Sequence, residues 1–129
     1  MSNQKVTKDG VQVSGWIGVD LDATLATYTG WVDESHIGDP IQPMVDRVKH
    51  WVENGIEVRI FTARVWNDPT GERRKAIQEW ALEHIGYPLE VTNCKDYGMI
   101  ELWDDRAIQV VPNTGEPVVN SSYGGYFGY

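Results

Sequence analysis

Apolar residues recur along this chain with two different periods, and the alternation between those periods outlines a fold. From Val6 to Val13, apolar and polar positions alternate around Asp9-Gly10, a turn signal. This predicts a small hairpin or an edge strand. Trp16 to Val19 is a short apolar run closed by Asp20, the pattern of a buried strand whose C-terminal end meets a cleft. Ala23 to Gly38 has no helical period and reads as an irregular excursion, with a short hairpin expected near Thr29-Gly30. Pro43 suits a first helical turn, and Met44, Val45, Val48, Trp51 and Val52 then follow at helical spacing until Asn54-Gly55. Glu57 to Phe61 predicts a second strand. Asp68 to Gly71 reads as a turn into another helix, with Ala76, Ile77, Trp80, Ala81 and Ile85 inward and Gly86 as its stop. Leu89 to Thr92, Ile100 to Trp103 and Ala107 to Val111 complete five expected strands.

Strands alternating with helices imply parallel pairing through right-handed crossovers. The expected class is therefore α/β, a three-layer α/β/α sandwich around a mainly parallel sheet. With 129 residues and 41% hydrophobic content, residues 1–120 suit one domain. Residues 121–129, rich in Gly and Tyr, read as a flexible tail. A net charge of −8 argues against broad nucleic-acid binding, which relies on Lys and Arg displacing counterions. The single cysteine, Cys94, allows no internal disulfide and suits a reducing, cytoplasmic setting; it is expected as a buried or half-buried thiol. The N-terminal ten residues are polar and do not read as a leader, and no run suits a membrane span. His50 and His84 are expected on solvated helix faces.

Ligands of open parallel sheets bind outside the carboxyl ends of the strands. The chemically notable residues fall there. Asp20 and Asp22 follow the first main strand, Thr62 the second, Asn93 and Lys95 the third, and Asp104 with Asp105 the fourth. Four carboxylates in one crevice repel one another unless a cation joins them, and hard oxygen ligands favour Mg²⁺. Mg²⁺ also accepts phosphate oxygens, so phosphoryl chemistry is the expected use. Lys95 and Thr62 suit a phosphate, and Arg64 suits a second anionic group. As a structural residue, Arg64 would pair with Asp68 or Glu72. Each residue alone has an ordinary explanation as a cap, a turn or a solvated side chain; their order after successive strands is what carries the inference.

Val19-Asp20-Leu21-Asp22-Ala23-Thr24 resembles the first motif of the haloacid-dehalogenase superfamily, with Ala23 where that family usually has Gly. Phe61-Thr62-Ala63-Arg64 resembles the second motif, and Leu102-Trp103-Asp104-Asp105 the fourth. Lys95 is the best-placed third-motif lysine, with Lys75 its rival. The resemblance implies a Rossmann-like sheet and a Mg²⁺-dependent phosphatase acting on a phosphorylated substrate. Asp20 would be the nucleophile and Asp22 the acid and base. Thr62 and Lys95 would hold the phosphoryl group. Mg²⁺ would be held by Asp20, Asp104, Asp105 and the backbone carbonyl of Asp22. A proton donor two residues after the nucleophile serves an alkoxide leaving group, which favours ester hydrolysis over dehalogenation. The intervals between motifs are too short for a cap domain, so specificity would come from a flap carrying Tyr28, Trp31 and His36, from a homo-oligomeric neighbour, or from a large substrate. The alternatives are a catalytically inactive binding module on the same fold, a nucleotide or polynucleotide-end phosphatase, and a phosphoacceptor receiver domain. In the receiver the order differs, because its acceptor Asp follows a later strand.

Overall fold

The computed structural model describes residues 5–8, 11–33 and 35–118. Strands β1 (Lys5–Lys8) and β2 (Val11–Ser14) pair antiparallel, as the alternating pattern predicts. The tail at 121–129 lies outside the described residues. Four further strands, β3 (Trp16–Val19), β4 (Glu57–Phe61), β5 (Glu90–Thr92) and β6 (Met99–Trp103), form an all-parallel sheet in the order β5-β4-β3-β6. Helix α1 (Gln42–Glu53) connects β3 to β4, and α2 (Glu72–His84) lies between β4 and β5. The fold is α/β. None of the described helices is long and apolar enough to cross a membrane.

Each helix has a local cause. Pro43 occupies the first turn of α1, where its missing N–H costs nothing. The Asp68 carboxylate accepts the backbone N–H groups of Arg73 and Arg74, satisfying donors at the start of α2 and favouring its positive end. Asp68 is thereby committed to a helix terminus and takes no part in pairing with Arg64.

Strand register sorts the side chains by face. Ile17 is level with Val58, and Val19 with Ile60, which is in turn level with Val91. These five share a face and join Met44, Val45 and Val48 of α1 and Ile77, Trp80 and Ala81 of α2 in one buried cluster. The opposite face carries Trp16, Gly18, Glu57, Arg59 and Glu90, and its charged groups pair among themselves. A polar surface of this kind offers a helix little to bury against. Both described helices pack on the apolar face, and the second helical layer expected of a sandwich is not seen among the described residues.

The β3–β6 pairing contains a register shift: Trp16 is level with Met99 but Ile17 with Glu101, so β6 carries an extra residue, Ile100. The fifth expected strand, Ala107 to Val111, is not parallel sheet. Val110 forms an isolated antiparallel bridge to Pro117, and the N–H of Val111 donates to the Glu116 carbonyl at 2.7 Å. Pro112, with Asn113 and Gly115 at positive φ, turns the chain back on itself and supplies these partners locally.

Candidate metal centre and active site

The segment after β3 is shaped by two leucines. Leu21 and Leu25 are fully buried, and the Leu21 carbonyl accepts the N–H groups of Leu25 and Ala26 at 2.9 and 2.8 Å. Plugging both leucines into the core leaves Asp22, Ala23 and Thr24 on the tight loop between them. Ala23 pays for this geometry with φ 70°, a left-handed conformation that glycine adopts without strain.

The Asp20 N–H donates to the Trp103 carbonyl at 2.9 Å, extending the sheet one step and bringing the end of β3 level with Asp104. Carboxylate oxygens of Asp20, Asp104 and Asp105 all lie within 4.8 Å of one another. The Thr24 hydroxyl lies 3.4 Å from Asp20 Oδ2 and 3.1 Å from Asp105 Oδ1, and it accepts the Asp105 N–H at 3.1 Å. Thr24 therefore ties the two sources of the cluster together across the rim. Its place in the first motif was the available sequence signal for this role. Burial, a hydrogen bond shared with Asp105 and the charges of Asp104 and Asp105 push Asp20 up to about 8. Three hard carboxylates converging without a cation of their own suit a divalent ion.

The fourth expected carboxylate is elsewhere. Asp22 is gripped by Arg64 in a two-pronged pair, with Nε to Oδ2 at 2.8 Å and Nη2 to Oδ1 at 2.7 Å. The side chain of Asp22 is thus outside the acidic cluster, correcting the expectation of four carboxylates in one crevice. Arg64 also donates from Nη1 to the His36 carbonyl at 2.8 Å, so it joins the loop after β3 to the flap. Its partner is Asp22 rather than Asp68 or Glu72. Arg64 follows Thr62 by two residues through a short 3-10 turn, Ala63–Val65, in which the Thr62 hydroxyl accepts the Arg64 N–H at 3.2 Å. Thr62 is the only buried polar residue among those described.

Lys95 is exposed and lines a groove along β6 together with Trp103 and Asp104. Lys75 is on the exposed side of α2, 3.9 Å from Glu79. Of these two lysines, Lys95 is the one that shares a groove with a member of the acidic cluster, Asp104. Asn93 and Cys94 are exposed in the loop beyond β5; the core ends before the thiol, which corrects its expected burial. His50 is exposed, whereas His84 is half-buried against Trp80, ring centres 4.8 Å apart.

The excursion from Thr27 to Asp39 is closed at its base, where the Thr27 N–H donates to the Asp39 carbonyl at 2.8 Å and Ala26 bridges Pro40. Trp80 Nε1 donates to the Gly38 carbonyl and fastens the return limb to α2. No strand hairpin forms near Thr29-Gly30. The excursion instead encloses a cavity of about 310 Å³, lined by Tyr28, Trp31 and His36 and reaching Asp22 and Arg64. Comparison of the chain with protein-family models, curated proteins and solved structures finds no match.

Proposed function

We propose that this protein is a Mg²⁺-dependent phosphate-monoester hydrolase of haloacid-dehalogenase type. It is capless, has a Rossmann-like sheet and acts in the cytoplasm through an aspartyl-phosphate on Asp20. The observation that carries the proposal is the convergence of Asp20 from β3 with Asp104 and Asp105 from β6 at the carboxyl rim of a parallel sheet. The donor set fits a small hard cation: three carboxylates can each give one oxygen, with the Asp22 backbone carbonyl as a further ligand. Bound there, Mg²⁺ would offset the charge of the transferring phosphoryl group.

The chain's own residues then have distinct tasks. A carboxylate oxygen of Asp20 attacks phosphorus as the bond from phosphorus to the alcohol oxygen breaks. Asp22 gives its proton to the departing alkoxide. It next takes a proton from the water that attacks phosphorus and releases Asp20 with inorganic phosphate. The Arg64 fork holds the Asp22 carboxylate in place. Lys95 and Thr62 serve the phosphoryl oxygens.

A panel of phosphate monoesters assayed with Mg²⁺ tests the proposal. Wild type should hydrolyse some of them, and both EDTA and Asp20→Asn should reduce turnover to background. Equal activity in wild type and Asp20→Asn would remove Asp20 as nucleophile. A wild type inert on the whole panel would favour a binding module.

A further inference from the structure

The cavity under the flap opens on the Asp22 carboxylate, where the leaving alcohol would depart if the proposed phosphatase chemistry is right. Its charge is lopsided. Among the described residues, Asp22, Asp33 and Asp39 line it against one guanidinium, Arg64, with His36 and the Tyr28 phenol the remaining titratable lining groups. Arg64 is already taken, two of its nitrogens by Asp22 and a third by the His36 carbonyl. No cationic donor is left over for a second anion. Asp33 is held as an anion by the N–H groups of Ser35 and His36 at 2.9 and 2.8 Å and by the Ser35 hydroxyl at 3.2 Å. Asp39 is exposed, and its backbone is fixed at the base of the flap. Two aromatic side chains, Tyr28 and Trp31, line the same cavity and are 47% and 67% exposed, an apolar outlay that no described residue covers. Aromatic faces beside carboxylates attract cations, because the ring quadrupole and the anions act in the same sense.

We infer that the cavity under the flap is a leaving-group subsite selecting phosphate monoesters of small amino alcohols, with the ammonium group between Trp31, Tyr28 and the carboxylates of Asp33 and Asp39. This rests on the proposed phosphatase reading and narrows its substrate class. The balance of charges also speaks against bisphosphates and phosphorylated carboxylic acids, whose second anion would meet uncompensated aspartates.

Three nearly isosteric esters separate the cases: O-phosphoethanolamine, 2-hydroxyethyl phosphate and phosphoglycolate, whose alcohols end in a cation, a neutral hydroxyl and an anion. Acetyl phosphate, too short to fill the cavity, reports the basal chemistry. In wild type, kcat/KM should fall along the series, by about ten-fold at each step. In Asp39→Asn and in Trp31→Leu, the ratio of first to last should collapse. Because that ratio is taken within one protein, loss of folded material cancels. A surface change on α2, Glu79→Gln, should leave it as in wild type. A flat or reversed order in wild type, with acetyl phosphate hydrolysed, overturns the subsite and spares the phosphatase. If no ester is hydrolysed, the phosphatase reading fails, and the subsite is judged by binding. Choline should then shift the Trp31 indole signal in NMR spectra, identified by its loss in Trp31→Leu, and an unmoved signal overturns the subsite.

Discussion

Two clusters on the parallel sheet gather three carboxylates each among the described residues, and they treat the resulting repulsion in opposite ways. On the polar face of the sheet, Glu57, Glu90 and Asp96 surround Arg59 at 2.6, 3.0 and 3.3 Å. The guanidinium also lies 4.5 Å from the centre of the Trp16 ring. Hydrogen bonds from the Trp16 indole and the Gly98 N–H, with the charge of Arg59, hold Asp96 below the usual carboxylate range. Burial works against the charge on Arg59, but its bond to Glu57 and the three neighbouring acids raise its pKa nonetheless. At the carboxyl rim, Asp20, Asp104 and Asp105 converge with no guanidinium among them, and Asp20 moves the other way. A structural cluster carries its own cation in the sequence. The rim cluster, proposed above to take its cation from solution, leaves the charge open.

Replacing Arg59 with Met would turn the first cluster into an imitation of the second. We expect a loss of about 3 kcal/mol, read by urea unfolding, since a largely buried cation is removed from three acids and an indole. Unchanged stability would mean that the acids there need no partner. Arg64→Met tests the pair that keeps Asp22 out of the rim cluster. On any ester the wild type hydrolyses, kcat should drop by roughly a hundred-fold with a smaller change in KM as Asp22 loses the fork that positions it. A change confined to KM would make Arg64 a substrate contact instead.

Proton linkage sharpens the contrast further. Asp20 has an ordinary value of 3.8 and is raised to about 8 in the folded chain, so between those values the folded state binds more protons than the unfolded one. Without divalent ions, stability should fall as pH rises from about 4 to about 8, by on the order of 2 kcal/mol once water at the rim is allowed for. Saturating Mg²⁺ or Asp20→Asn should flatten that slope; a slope that both leave intact would assign it to other groups. The smallest effect is at Ala23. Ala23→Gly should relieve the left-handed backbone and raise stability by about 1 kcal/mol, seen as a higher Tm.

Much of the sheet was legible because its signals are local. An apolar run closed by an acid, repeated at Val19-Asp20 and Trp103-Asp104, marks strands that end at a rim. Met44, Val45 and Val48 announce the inner side of α1 by spacing alone. What was not legible depends on contacts between distant parts of the chain. Arg64 has acids nearby in sequence at Asp68 and Glu72, yet Asp68 is spent on α2 and the fork closes on Asp22, 42 residues away. The single helical side of the sheet follows from Arg59 being paired across strands, which no periodicity reveals. Ala107 to Val111 has strand-like composition, but Pro112 and the turn after it provide nearer partners than the sheet does.

The extra residue in β6 has a consequence for chemistry well beyond its own position. Were Ile100 paired with Ile17 instead of bulged, with Trp16 still level with Met99, Val19 would stand level with Leu102 and Asp20 with Trp103. Trp103 would also swap sides, leaving its edge-on contact with Trp51 of α1 at 5.2 Å. One unpaired residue near the start of an edge strand thus sets the phase of everything downstream, and deleting Ile100 should remove the bulge while keeping Asp20 level with Asp104.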